Sequence, residues 1–483
     1  MFDLAVEDEI YRLSQRIVQV MAARISGISR PLVLSYKGRM FSAVAQPEPR
    51  LTADEKEPRA YIKKLENGML VGTIENQSPL SRLAVVVNAG ARFENGDNLG
   101  LAHILRHTTK LRTENLSSLG ITRATQQLGA DISCQGTREY LFYKGVVTRN
   151  CAAKIVEILQ ELTTKHTFKN WELDALQSDP DGLKLDLAVL KTRPDIRVIE
   201  LLHAAAFRDT LGRSLYAPEF MIGKYSPDQL LHYVKTYFSS GRIALCGVGI
   251  HPDELEELAS QFEPYSSIGV PQTSARFHGG ELRENNGGPL SYVAFAYGGP
   301  SAGQFTKDTL ALEVLRHVLG VGPQVKYSSG IVASNLGKAV ASVTSSPFAI
   351  SSIKASYTDA GLLGFSLVSP NSEIEKVSRT AVSNLKSVLT SGVSDADVQK
   401  AKTKLKSEIA MLFLEHPDNL LSWLGEQTLN SDHVLTPQEV YKLVDPITTS
   451  DVNSVAKKLA TSKPALAVTG NTNNVPYLDK LLS

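Results

Sequence analysis

The chain has 483 residues, too many for one ordinary domain and enough for two or three. With 42% hydrophobic and 21% charged residues it has the composition of a soluble globular protein, and a net charge of +1 gives no global reason to expect nucleic acid or an anionic membrane as partner. Cys134, Cys151 and Cys246 form no CxxC pair and suggest a reducing compartment, and no apolar run reaches the ~18 residues needed to span a bilayer.

The chain opens with a distinctive segment. From Met21 to Pro47 there is no Asp or Glu, while Arg24, Arg30, Lys37 and Arg39 alternate with serines and aliphatics. That is the composition of a mitochondrial transit peptide, and Arg39-Met40-Phe41 suits cleavage after Phe41. Asp3, Glu7, Asp8 and Glu9 are foreign to such a presequence, which makes Met21 an alternative start. Residues 1–56 are therefore read as presequence and flexible N-terminal segment.

Two halves then follow one plan. Leu83–Ala89 reads as a buried strand, followed by a loop with Gly90, Gly96 and Gly100 and a helix around Leu101–Leu111. Asp131–Val147 alternates like a hairpin, Cys151–Lys165 is helical, Ser226 caps a helix to Tyr237, and Ile243–Gly247 is a strand. In the second half Tyr292–Tyr297 is the strand, Leu310–Leu319 the helix, Ser351–Val368 the hairpin and Glu373–Leu389 a long helix. Ser450-Asp451 caps a helix to Leu459, and Ala465–Gly470 is the last strand. Asp228 to Asp451 and Gly247 to Gly470 share one offset of 223 residues. The expectation is an α+β chain with domains at 57–263 and 290–483, joined by a Gly/Pro/Ser-rich linker at 264–289.

The chemistry concentrates at His103-Ile104-Leu105-Arg106-His107. The inverted zinc motif is H-x-x-E-H, in which two histidines at i and i+4 share a helix face and grip one Zn²⁺. The glutamate takes a proton from the metal-bound water. Here Arg106 holds its place. A guanidinium stays protonated at any working pH and cannot be a general base. Its charge also opposes a divalent cation: a single pair of unit charges ~4 Å apart interacts by roughly 4 kcal/mol at an effective dielectric near 20. Arg106-His107 is echoed by Arg316-His317 in the second half. Elsewhere, Gly320-Val321-Gly322-Pro323 reads as a helix C-cap and tight turn rather than a phosphate cradle. Tyr357 reads as a core strand residue, Lys400–Lys406 as a solvated helix face, and Trp171 and Trp423 as core or interface anchors.

These features together resemble the pitrilysin-type zinc peptidase superfamily, in its mitochondrial processing peptidase branch. The match runs from about Arg59 to the C-terminus, through Lys64-Leu65-Glu66-Asn67-Gly68, Asn98-Leu99-Gly100, the run Val198–Phe207, Tyr216-Ala217-Pro218, Gly279–Glu284, His317–Lys326 and Tyr357–Leu362. The resemblance implies two homologous domains, each a mainly antiparallel sheet packed with helices, forming a clam-like shell. It implies a third zinc ligand, a Glu, where this chain has Asp186. His103, Arg106, His107 and Asp186 are thus expected to be remnants of a degenerate zinc site, with no catalytic residue, no bound metal and no cofactor. The resemblance is nearest to non-catalytic members built into ubiquinol–cytochrome c reductase. That implies a place on the matrix side of the mitochondrial inner membrane, peripheral to it through partners, in a dimeric complex with the first core protein, cytochrome b, cytochrome c1 and the Rieske protein. The alternative it leaves open is a presequence-binding, non-catalytic α-type subunit of the processing peptidase.

Overall fold

The computed structural model describes residues 59–483 apart from 180–181, 267–269, 302–305 and 323–333. The transit-peptide reading, the cut after Phe41 and the segment Pro323–Lys326 lie outside the described residues.

In the first half β1 (Arg59–Lys64), β2 (Leu70–Glu75) and β3 (Leu80–Val87) precede α1 (Leu101–His107) and α2 (Ser118–Gln127). The hairpin β4 (Asp131–Gly136) and β5 (Leu141–Thr148) leads into α3 (Ala152–Thr164), α4 (Asn170–Ser178), α5 (Leu183–Thr192), α6 (Pro194–Phe207) and α7 (Pro227–Tyr237). β6 (Ile243–Val248) and α8 (Pro252–Ser260) close it. The second half runs β7 (Gly280–Asn285), β8 (Leu290–Gly299), α9 (Lys307–Leu319), α10 (Asn335–Ala341), β9 (Ala349–Ser356) and β10 (Gly361–Pro370). Then come α11 (Ile374–Ser391), α12 (Asp395–Leu414), α13 (Pro417–Asn430), α14 (Pro437–Val444), α15 (Thr449–Ala460), β11 (Ala465–Gly470) and α16 (Leu478–Leu482).

The two sheets have orders β1-β2-β6-β3-β5-β4 and β7-β11-β8-β10-β9. Each contains one parallel pair, β2 with β6 and β7 with β11, and is otherwise antiparallel. Apart from the additional β1, the sheets are superimposable in order and direction, so the duplication read from the sequence is a duplication of fold. The central strands β6 and β11 are buried at every position, which is why they read as short unbroken apolar runs.

Each sheet is covered on one face by helices of its own half. The other face is covered by a helix from the opposite half. Leu420, Leu421 and Leu424 of α13 pack with Val86, Phe142 and Ala244 of the first sheet. Val198, Leu202 and Ala206 of α6 pack with Ala294, Ala296 and Ala467 of the second. The approach of α13 requires glycine on both surfaces. A Cβ at Gly72 would lie 2.1 Å from Thr428 Oγ1, and one at Gly425 would lie 2.7 Å from Val86 Cγ2.

Four expectations need correcting. The expected linker at 264–289 contains β7, the counterpart of β2, whose polar sequence GELREN suits a half-exposed edge strand and hides it from a search for apolar runs. Thr448, not Ser450 or Asp451, is the N-cap of α15; Asp451 closes the capping box from the N3 position. Trp171 is 64% exposed and anchors no core, whereas Trp423 is partly buried against two of them. The Lys400–Lys406 face is only partly solvated, since Lys402 is buried and donates to the Asp445 carbonyl.

Candidate functional site

α1 begins abruptly at Gly100, with φ +82°; a Cβ there would collide with the Tyr225 hydroxyl and with Ala217. Gly100 has no side chain to cap the helix, so Glu94 does it from outside. Its carboxyl accepts the N–H groups of Gly100 at 2.7 Å and Ala102 at 2.8 Å. Burial pushes the Glu94 carboxyl up to about 7, against the pull of those two donors. Sequence reasoning missed Glu94 because it lies upstream of the helix, outside the capping-box spacing.

Leu101, Ala102, Ile104 and Leu105 anchor α1 in the core. His103 is buried and His107 is a quarter exposed, so the i, i+4 spacing puts both rings on the side facing α5. There Asp186 meets both. Its Oδ2 lies 3.0 Å from His103 Nε2 and 3.1 Å from His107 Nε2. Asp186 is thus not merely an exposed helical acid. The hydrogen bond from His103 leads in holding its carboxyl down to about 2. The ligand atoms of His103, His107 and Asp186 lie within 4.8 Å of one another, close enough in principle to surround one ion.

The outer contacts do not suit zinc. His103 Nδ1 accepts the Ala217 backbone N–H at 3.0 Å. Nδ1 therefore carries no proton, and the ring's proton sits on Nε2, directed at Asp186. A zinc-ligating imidazole has the opposite arrangement: Nε2 bare and Nδ1–H donating to an oxygen. Placing a metal on Nε2 would set two N–H donors against each other at Nδ1. Burial pulls His103 down to about 4, so the ring is neutral near pH 7 and its single proton has one place to be.

Arg106 faces elsewhere. Its guanidinium donates to the Leu215 carbonyl at 3.0 Å and sits 5.6 Å from the Tyr216 ring centroid. Gly136 of β4 gives it room, since a Cβ there would lie 2.9 Å from Arg106 Cδ. Arg106 occupies the place of the general base and ties α1 to the 215–216 loop.

The second half repeats the pattern in charged form. His317 Nε2 lies 2.8 Å from Glu408 Oε2, which Arg316 also contacts at 2.8 Å. Glu313, at the position matching His103, takes Arg316 at 2.9 Å and Lys354 at 2.6 Å. Glu313 and Glu408 are thus paired with Arg316 and Lys354. Tyr357 lies in the β9–β10 turn rather than a strand, and its hydroxyl bonds to His203 Nε2 at 2.8 Å.

Comparison with known sequences agrees with this architecture. Residues 70–219 match the insulinase family, peptidase family M16, and residues 224–405 match the peptidase M16 inactive domain. The chain belongs to peptidase family M16, as a non-catalytic homologue of its peptidases. It is 36% identical over 419 residues to cytochrome b-c1 complex subunit 2, mitochondrial, of Homo sapiens, covering 86% of this chain and 91% of that protein. Mitochondrial-processing peptidase subunit beta of Saccharomyces cerevisiae is 27% identical over 457 residues, covering 89% of this chain and 96% of that protein. Mitochondrial-processing peptidase subunit alpha of Solanum tuberosum is 24% identical over 440 residues, covering 89% of this chain and 86% of that protein.

Proposed function

We propose that the chain is a non-catalytic core subunit of mitochondrial ubiquinol–cytochrome c reductase, the cytochrome b-c1 complex. The observation that carries this reading is the 36% identity, over 86% of this chain, to a protein named as subunit 2 of that complex. The chain sits on the matrix side of the inner membrane and supports assembly and stability of the complex. No described helix is long and apolar enough to cross a membrane, so attachment runs through partners: the first core protein, cytochrome b, cytochrome c1 and the Rieske protein. The functional unit is a dimeric complex. Residues 57–263 and 290–483 form the two peptidase-like domains, with β7 added to the second. His103, Arg106, His107 and Asp186 are a hydrogen-bonded remnant that holds no metal.

The test is to tag the chain, purify it from mild-detergent extracts of mitochondria and record a reduced-minus-oxidised spectrum. Near-stoichiometric b- and c-type haem bands co-eluting with the chain are expected. A haem-free soluble heterodimer that cleaves presequences would overturn the reading in favour of an α-type processing-peptidase subunit.

A further inference from the structure

An asparagine followed by glycine is a poorly protected amide, because glycine has no Cβ to shield the Asn Cγ from the next backbone nitrogen. The sequence has three such pairs, Asn67-Gly68, Asn95-Gly96 and Asn286-Gly287. The fold treats them differently.

Asn95 and Gly96 are exposed in the loop that leads into α1. Asn95 Oδ1 accepts the Asp97 N–H at 3.1 Å. That bond folds the side chain back over the Gly96 nitrogen, which lies between the two residues, and polarises the amide carbonyl. It also sets an N–H where negative charge develops on Oδ1 when Cγ is attacked. Neither Asn95 Nδ2 nor the Gly96 N–H makes a hydrogen bond with any described residue, so the leaving nitrogen and the attacking nitrogen are both unrestrained. A Cβ at Gly96 would meet nothing within 4 Å, so the loop has room for a ring there.

The other two pairs are held. Asn67 Oδ1 accepts the Met69 N–H at 3.0 Å, but its Nδ2 donates to the carbonyls of Ala259 at 3.0 Å and Phe262 at 3.3 Å. The Gly68 N–H is engaged too, by the Leu65 carbonyl at 3.0 Å. Asn286 Nδ2 donates to Glu284 Oε1 and Thr469 Oγ1, both at 3.1 Å, and the Gly287 N–H to Asn285 Oδ1 at 3.2 Å.

We propose that Asn95 is a site of spontaneous modification to isoaspartate, and that the product loosens the Glu94 cap of α1. The Gly96 nitrogen gives its proton to hydroxide and bonds to Asn95 Cγ. The Cγ–Nδ2 bond breaks, and the nitrogen leaves as ammonia with a proton from water. Water then opens the resulting five-membered ring at either carbonyl. Opening at Cγ gives aspartate. Opening at the backbone carbonyl gives isoaspartate, with the main chain running through Cβ and Cγ. That route is one carbon longer, inside a tight span. Asn95 N–H donates to Asn98 Oδ1 at 2.6 Å, and Glu94 holds the N–H groups of Gly100 and Ala102. An extra carbon and a new carboxylate beside Glu94 disturb the geometry that caps the helix. The site does not depend on the assignment to the cytochrome b-c1 complex.

The experiment ages the native assembly in heavy-oxygen water at physiological temperature. Mass spectrometry of its peptides reads uptake of heavy oxygen at each pair. Methyl transfer from S-adenosylmethionine by an isoaspartyl methyltransferase identifies the isoaspartate. Asn95 is expected to convert about tenfold faster than Asn67 or Asn286. The peptide covering α1 should exchange its amide hydrogens faster in the aged assembly than in the fresh one. Asp97→Pro removes the N–H that Oδ1 accepts and should slow conversion. Gly96→Ala shields Cγ with a methyl group and, aged alongside, should show neither change. Conversion at Asn67 or Asn286 as fast as at Asn95, no conversion at Asn95, or unchanged exchange in α1 would each overturn the proposal. The three pairs are compared within one wild-type chain, so the comparison decides even if Asp97→Pro fails to fold.

Discussion

His103 keeps its proton on Nε2 because Ala217 offers Nδ1 an N–H rather than a carbonyl. Restoring the missing acid at position 106 leaves that arrangement untouched. Arg106→Glu is therefore expected to bind no zinc by elemental analysis and to cleave no presequence. It should also lose about 1–2 kcal/mol of stability, because the Leu215 carbonyl loses its donor and Tyr216 its cation. One zinc per chain in that variant would show that the imidazole can reverse its tautomer. The proximity of the side chains was legible in the sequence: His103, His107 and Asp186, singled out there, lie together in the structure. The contacts that decide their chemistry were not legible. Ala217 acts through its backbone, which carries no residue code, and Glu94 caps α1 from six residues before Gly100.

The exchange of α6 and α13 between the halves rests on close approach. Gly425→Val should push α13 off Val86 and Phe142 and cost about 1–3 kcal/mol in urea unfolding, the usual penalty for overpacking. Gly96→Ala, where a Cβ meets nothing within 4 Å, is the control and should stay near wild type. A second tie is polar. Arg92 is buried between Glu139 of its own half and Asp359 of the β9–β10 turn. Arg92→Met should cost about 3–5 kcal/mol, because it strands Glu139 without its cation, whereas Arg92→Met combined with Glu139→Met should recover part of that loss. A purely additive double mutant would show that the two groups act separately. The strands and helices were readable from apolar periodicity, and both hairpins appear where alternation puts them. Neither cross-over cover was readable, because α6 and α13 look like ordinary amphipathic helices and a sequence does not say whose sheet they face. β7 escaped for the related reason that an edge strand needs little apolar surface.

Stability of the entire chain should respond to acid in two regimes. Burial holds His166 and His203 down to about 3, and His103 to about 4. Below 6.5 the unfolded chain binds protons that these folded groups refuse, so their contribution falls as pH drops. Burial holds the Glu94 and Glu426 carboxyls up to about 7, and the folded chain keeps protons there that the unfolded chain releases above 4.5. The two effects oppose each other between about pH 4.5 and 6.5, and only the first persists below. The urea midpoint should therefore change little from pH 6.5 to 5 and drop steeply below 4.5. A steady decline across the whole range would show that the carboxyls are not held protonated. The shared helices also set an order in time. The first sheet is complete once Val248 exists, yet one of its faces stays bare until α13 arrives, late in the second half. At ~5–20 residues per second that leaves an apolar surface open for roughly ten seconds or more during synthesis. A chain stopped after Phe262 would never cover it. Such a fragment should be retained by chaperones or aggregate, and a stop placed between α13 and β11 would cover the first sheet only to remove a central strand of the second.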